Sequence, residues 1–173
     1  MGTAPRIAVI GVGDTSRRDD GVAFSVTARL AARAADRPLP PGTEVTACDG
    51  DPARLTRLWE DAGLAIVVDA TFADPEHPGL IHRQELDRHE LRSGTPRIRS
   101  AHGLGIDEAV ELSGALGRLP GHLVVYTVQG ADSALGTGLS VPVTAAVEPL
   151  AERVEAEIVR HRDAAARGTP WGG

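Results

Sequence analysis

Five short apolar runs, separated by stretches of helical periodicity, set the strongest limit on how this chain can fold. Ile7–Gly13, Thr43–Cys48, Leu64–Val68 and Leu123–Val128 have the length and β-branched content of strands, and the more polar Leu80–Leu86 is expected to form the fifth. Between the first two, Ala23, Val26, Leu30 and Ala34 recur at three- and four-residue steps, which predicts a helix from about Asp20 to Ala35. Asp51 and Pro52 open a second helix with an apolar face of Leu55, Leu58, Trp59 and Ala62, and Gly63 is expected to stop it. A third helix is expected from about Ile106 to Leu116. Ser140 and Pro142 open the last, whose stripe is Val143, Val147, Leu150, Val154 and Ile158; Pro149 inside it should kink it. Strands alternating with helices imply an α/β fold. The expectation is a single-domain three-layer sandwich: a mainly parallel, twisted sheet of about five strands with helices on both faces. The commoner strand order places the first and third strands side by side, and such folds bind ligands between the carboxyl ends of those strands.

A chain of 173 residues, 42% apolar and 24% charged, suits one domain over residues 1–173. Its core should span about 6–163, with a flexible tail over about 164–173. A net charge of −6 argues against nucleic acid as a partner. All eighteen basic residues are Arg, so a phosphate loop that needs Lys is excluded. Cys48 is the only cysteine and no intrachain disulfide can form. Ile7–Gly13 is too short to span a membrane and follows no basic leader, so a soluble cytoplasmic protein is expected.

The stretch GVGDTSRRDDG, Gly11 to Gly21, sits where a dinucleotide-binding loop would lie, but Ser16 replaces the third glycine and charged residues fill the turn. Asp20 follows the first strand and Asp69 ends the third. A carboxylate after four apolar strand residues is costly inside a sheet, yet at the carboxyl tip it can face a cleft. His102 lies in the glycine-flanked turn RSAHGLG. Two carboxylates and an imidazole make a site for a borderline divalent metal such as nickel, zinc or manganese. Other roles suit each residue singly: Asp20 could cap the first helix, Asp69 could cap a turn, and His102 could be a hydrogen-bonded structural histidine. Cys48 reads as a small apolar residue of a buried strand rather than a nucleophile, and no serine lies in a G-x-S-x-G elbow. Arg17 and Arg18 fit either a solvated loop face or a grip on an acidic partner.

The order GVGD–DDG, VVDA, SAHGLG and a C-terminal helix carrying VEPL resembles the maturation endopeptidases of nickel-iron hydrogenases, over about Ile7 to Ile158. The resemblance implies that Asp20, Asp69 and His102 are both the metal-binding and the catalytic residues. It implies a metal-dependent peptidase with no serine or cysteine nucleophile, which removes the C-terminal extension of a hydrogenase large-subunit precursor after nickel insertion. Nickel would be presented by the substrate, and other divalent metals could occupy the site in vitro. Asp14, Arg17, Arg18, Asp51 and Gly103 depart from the family pattern near the expected cleft. The backbone around Gly50 and Gly103 is expected to admit an extended peptide closely. The competing readings are a non-catalytic, nickel-dependent maturation chaperone and a dinucleotide-binding module.

Overall fold

The structure is a computed structural model and describes residues 4–72, 77–93 and 98–168. Strands β1 (Arg6–Val12), β2 (Thr43–Cys48), β3 (Ala62–Thr71), β4 (Ile81–Asp87) and β5 (His122–Gln129) form one sheet in the order β2-β1-β3-β5-β4. β1 pairs in parallel with β2 and β3, and β3 in parallel with β5. The helices are α1 (Val22–Asp36), α2 (Pro52–Trp59), α3 (Arg88–Ser93), α4 (Gly103–Leu116) and α5 (Val141–Arg167).

The apolar strands bury both faces, and the pleat sends alternate residues to two separate cores. Ile7 and Val9 of β1 join Ile66 and Val68 of β3 under α1 and α5, against Val26, Leu30, Leu150 and Val154. Ala8 and Ile10 face the other way with Ala65 and Val67, under Leu55 and Trp59 of α2 and Ile106 and Ala109 of α4. This is the expected α/β sandwich with helices on both faces. β1 and β3 are neighbours, and the chain leaves β1 towards β2 on one side and β3 on the other. Their carboxyl ends therefore flank a crevice.

Several local expectations change. α1 begins at Val22, because Arg18–Gly21 forms a separate 3₁₀ turn. α2 starts as expected, with the Asp51 side chain accepting from Arg54 N at 2.8 Å. Gly63 does not stop it: the helix ends at Trp59, Asp61 takes the left-handed conformation at φ 59°, and Gly63 lies inside β3. Aspartate tolerates that conformation, which is why the turn needs no glycine. β4 is antiparallel to β5 and forms a sheet edge. The step from Thr71 to Ile81 is too short for the crossover of a dozen or more residues that a parallel strand requires. α4 starts at Gly103, directly after His102. α5 continues through Pro149, which lies on its exposed side, and reaches Arg167, past the expected start of the tail; Gly168 ends it at φ 66°. Residues 169–173 of the expected tail lie outside the described residues.

On the opposite face of the sheet from Asp69, Glu157 of α5 is 1% exposed. Tyr126 Oη donates to it at 2.8 Å, and Arg83 and Arg160 pair with it. Burial alone would raise its pKa, but the bonds from Arg83, Arg160 and Tyr126 prevail and hold it below the usual carboxylate range. A depressed folded pKa stabilises the fold above the unfolded value and loses that contribution as pH falls through the folded one. Glu157→Gln should therefore lower the urea midpoint at pH 7. The gap between wild type and variant should narrow on acidification below about pH 4.5. A gap of constant size would show that the charge contributes nothing.

Candidate metal-binding site

Each side chain of the crevice is delivered by a different element. Asp69 is the eighth residue of β3 and pairs in register with Thr127 of β5. The pleat turns it to the face of Val67, beneath the start of α4, and it is fully buried. His102 is the N-cap residue of α4. Asp20 lies in the 3₁₀ turn after β1 and is 6% exposed. One ligand atom from each of Asp20, Asp69 and His102 lies within 4.8 Å of the others. Three residues far apart in the chain are thus brought together at the carboxyl rim of the sheet.

Asp69 holds the histidine in place. Its Oδ2 accepts from His102 N at 2.9 Å, and its Oδ1 accepts from Ala70 N at 2.8 Å and lies 2.9 Å from His102 Nδ1. Asp69 thereby also fastens the turn that begins α4, the bonding role considered for it from sequence. With Nδ1 bonded to a carboxylate, Nε2 is directed at Asp20 Oδ2, 3.8 Å away. The hydrogen bond to Asp69 raises the His102 pKa; burial opposes this, and the charges of Asp69, Asp20 and Asp14 add to it. Burial pushes the Asp20 carboxyl up, with His102 opposing and Asp69 and Asp14 reinforcing. A carboxylate oxygen facing an imidazole nitrogen is stable with a proton or a cation between them. Two ligands of one ion at about 2.0–2.2 Å can stand as far apart as the Asp20–His102 pair does. The donor set fits a borderline divalent ion.

Asp20 does not cap α1. The N-cap is Gly21, with no side-chain cap bond, so the carboxylate is left for the crevice. The charged loop closes on itself. A Cβ on Gly13 would lie 2.1 Å from Asp20 O, and Asp14 N donates to that carbonyl at 3.2 Å. The loop's own backbone thus fills the space beside Gly13. Arg17 lies 3.8 Å from Asp14 and Arg18 lies 3.4 Å from Asp132, so both arginines pair with acids of this chain. Asp14 accepts from Ser16 N and Oγ, which pulls its pKa down.

The room expected around Gly50 and Gly103 is filled by the protein itself. A Cβ on Gly103 would lie 2.1 Å from Ile98 O, and one on Gly105 would lie 2.5 Å from Gly50 O. A Cβ on Gly50, at φ 89°, would lie 3.3 Å from His102 Cβ. These glycines let backbone pack tightly against the turn that carries the histidine.

Sequence reasoning missed Asp19. It is fully buried, and its carboxylate takes four hydrogen bonds. Oδ2 accepts from Ala131 N at 2.8 Å, Asp132 N at 3.1 Å and Ser140 Oγ at 2.9 Å; Oδ1 accepts from Ser140 N at 2.7 Å. Burial would raise its pKa, but these bonds outweigh it and hold the group ionised. Asp19 ties the loop that carries Asp20 to the segment that opens α5. Backbone bonds from Arg18 N to Gly136 O and from Gly136 N to Ser16 O complete the tie. The signal was the paired aspartate itself: neighbours in a tight turn point in different directions, so only one of the two can face the crevice.

The hydrogenase maturation protease family matches residues 26–157. No curated protein matches the sequence. Among solved structures, the hydrogenase-maturating endopeptidase HybD of E. coli is 26% identical, with a TM-score of 0.69 over 86% of this chain and 89% of that one. An E. coli endopeptidase solved in solution is 25% identical, with a TM-score of 0.71 over 90% and 92%. The fold of the [NiFe] hydrogenase maturation protease HybD from Thermococcus kodakarensis also matches, at 24% identity and a TM-score of 0.68 over 87% and 97%. Among the described residues no helix is long and apolar enough to cross a membrane. The family match spans most of the chain, and its strands and helices carry the same architecture as these peptidases. The chain belongs to the hydrogenase maturation protease family.

Proposed function

We propose that this protein is a cytoplasmic endopeptidase, acting as a single domain, that removes the C-terminal extension of a nickel-iron hydrogenase large-subunit precursor once nickel is in place. Asp20, Asp69 and His102 recognise the nickel that the substrate holds. The observation that carries the reading is the convergence of these three side chains at the crevice of a chain in this family.

In this reading, nickel bound on the substrate supplies the positive charge that the paired carboxylates lack, and so docks the scissile peptide over the rim. Asp69 fixes the orientation of His102 by holding it through Nδ1, leaving Nε2 towards the substrate. A bound divalent ion polarises a carbonyl and acidifies water. Asp20, with its raised pKa and a second carboxylate oxygen free of the ion, is the titratable group placed to move a proton there. The absence of a thiol nucleophile is supported by Cys48, which is buried and whose thiol is pushed up by burial.

Mass spectrometry of the precursor after incubation with the protein tests this. A lower-mass product should form from nickel-loaded precursor and not from nickel-free precursor. A stable complex with no product, under conditions where a relative cuts, would instead make the protein a maturation chaperone.

A further inference from the structure

Beside the crevice lies a second feature, a cavity of about 370 Å³. That volume is in the range of small-ligand and side-chain subsites. Its floor is Val125 and Thr127 of β5, both buried, and Thr71 of β3 forms one wall. Thr71 lies two residues beyond Asp69 on the same face of β3, and Thr127 is the register partner of Asp69. Two strand residues span about 7 Å, so the cavity begins directly next to the candidate metal site. His82 and Gln84 of β4 form another wall, and the last is Arg99, three residues before His102, in a segment tied to β3 by Ala101 N donating to Ala70 O at 2.7 Å.

The charge of the cavity is opposite to that of the protein. The chain carries −6 overall, and the adjacent crevice holds two carboxylates. The cavity is lined by His82 and Arg99, both exposed, and by no carboxylate among the described residues. Arg83 also borders it, but its guanidinium is on the other face of β4 with Glu157 and Glu85. Neither His82 nor Arg99 pairs with an acid among the described residues. An exposed guanidinium above a floor of one hydroxyl and one apolar side chain suits a carboxylate at the end of a short aliphatic stem, held by charge-assisted hydrogen bonds.

We propose that this cavity is a subsite for the substrate polypeptide that takes an acidic side chain lying within about three residues of the scissile bond. The inference rests on the function proposed above. The metal site fixes where the chain is cut, and the cavity fixes which side chain lies alongside.

The test uses nickel-loaded precursor carrying Glu, Gln or Lys at each of the three positions on either side of the cut, with wild-type protein and Arg99→Glu. At one position, Glu should give a KM about tenfold lower than Lys with wild type, and Arg99→Glu should reverse that order with kcat little changed. The same order should appear in equilibrium affinity for these precursors, which reads the cavity without cleavage. A precursor lengthened at its C-terminus separates the free terminal carboxylate from a side chain: unchanged KM supports the side chain, and a raised KM overturns it. Cleavage and affinity indifferent to charge at every position, or an order unaltered by Arg99→Glu, would overturn the subsite. Wild type that cuts no precursor counts against the proposed function, and the affinity order then decides the subsite alone.

Discussion

Asp20→Ala should abolish precursor processing, by on the order of 10³-fold or more, while leaving the fold intact. Asp20 is 6% exposed, and its nearest cationic partner is His102 at 3.8 Å. It caps no helix. Burial raises its pKa, so in the free protein its charge opposes folding at neutral pH. Removing it should leave the urea midpoint unchanged or higher. Asp20→Asn keeps the size and removes only the charge, and it should be as inactive as the alanine variant. Rates measured by mass spectrometry and midpoints from urea unfolding check both halves. Full activity in either variant would take Asp20 out of the site. Lost activity with a collapsed midpoint would make it a structural residue.

The opposite outcome is expected one residue earlier. Asp19→Ala should lower stability by roughly 3–5 kcal/mol, because it strips a buried anion that holds four hydrogen-bond donors of two loops together. Asp19→Asn should cost less: its one oxygen can keep the Ala131, Asp132 and Ser140 Oγ bonds, and only the Ser140 amide meets a donor. Ser140→Ala removes a single bond and should cost about 1 kcal/mol. The order of urea midpoints, wild type above Ser140→Ala, then Asn, then Ala, reports the anchoring role. Equal midpoints for wild type and Asp19→Ala would show that the tie between the loops carries no stability. Adjacent aspartates of the same turn thus divide the work: one fastens the loop, and the other is left to face the crevice.

The large outline was legible because it is local. The short β-branched apolar runs IAVI and AIVVD, and the stripe along α5, follow from residues a few positions apart. Asp69 and His102 could be singled out for a related reason, a charge where a strand ends and a histidine between a serine and glycines. What was not legible depends on distance in sequence. The four bonds of Asp19 reach residues 112–121 positions away, and no periodicity records them. The antiparallel run of β4 depends on its partner β5, since the polar IHRQELD reads as an edge strand in either direction. Gly50 and Gly103 were recognised as places of close approach. Which chain approaches, this one or a substrate, is decided by how α4 packs behind His102.

Anomalous X-ray diffraction at the nickel edge, on crystals soaked in nickel, tests the central claim most directly. One peak is expected between Asp20 Oδ2 and His102 Nε2, with Asp69 holding the imidazole through Nδ1. It should vanish in crystals of Asp20→Ala. A peak held by other residues, or none near this crevice in a well-occupied crystal, would contradict the account.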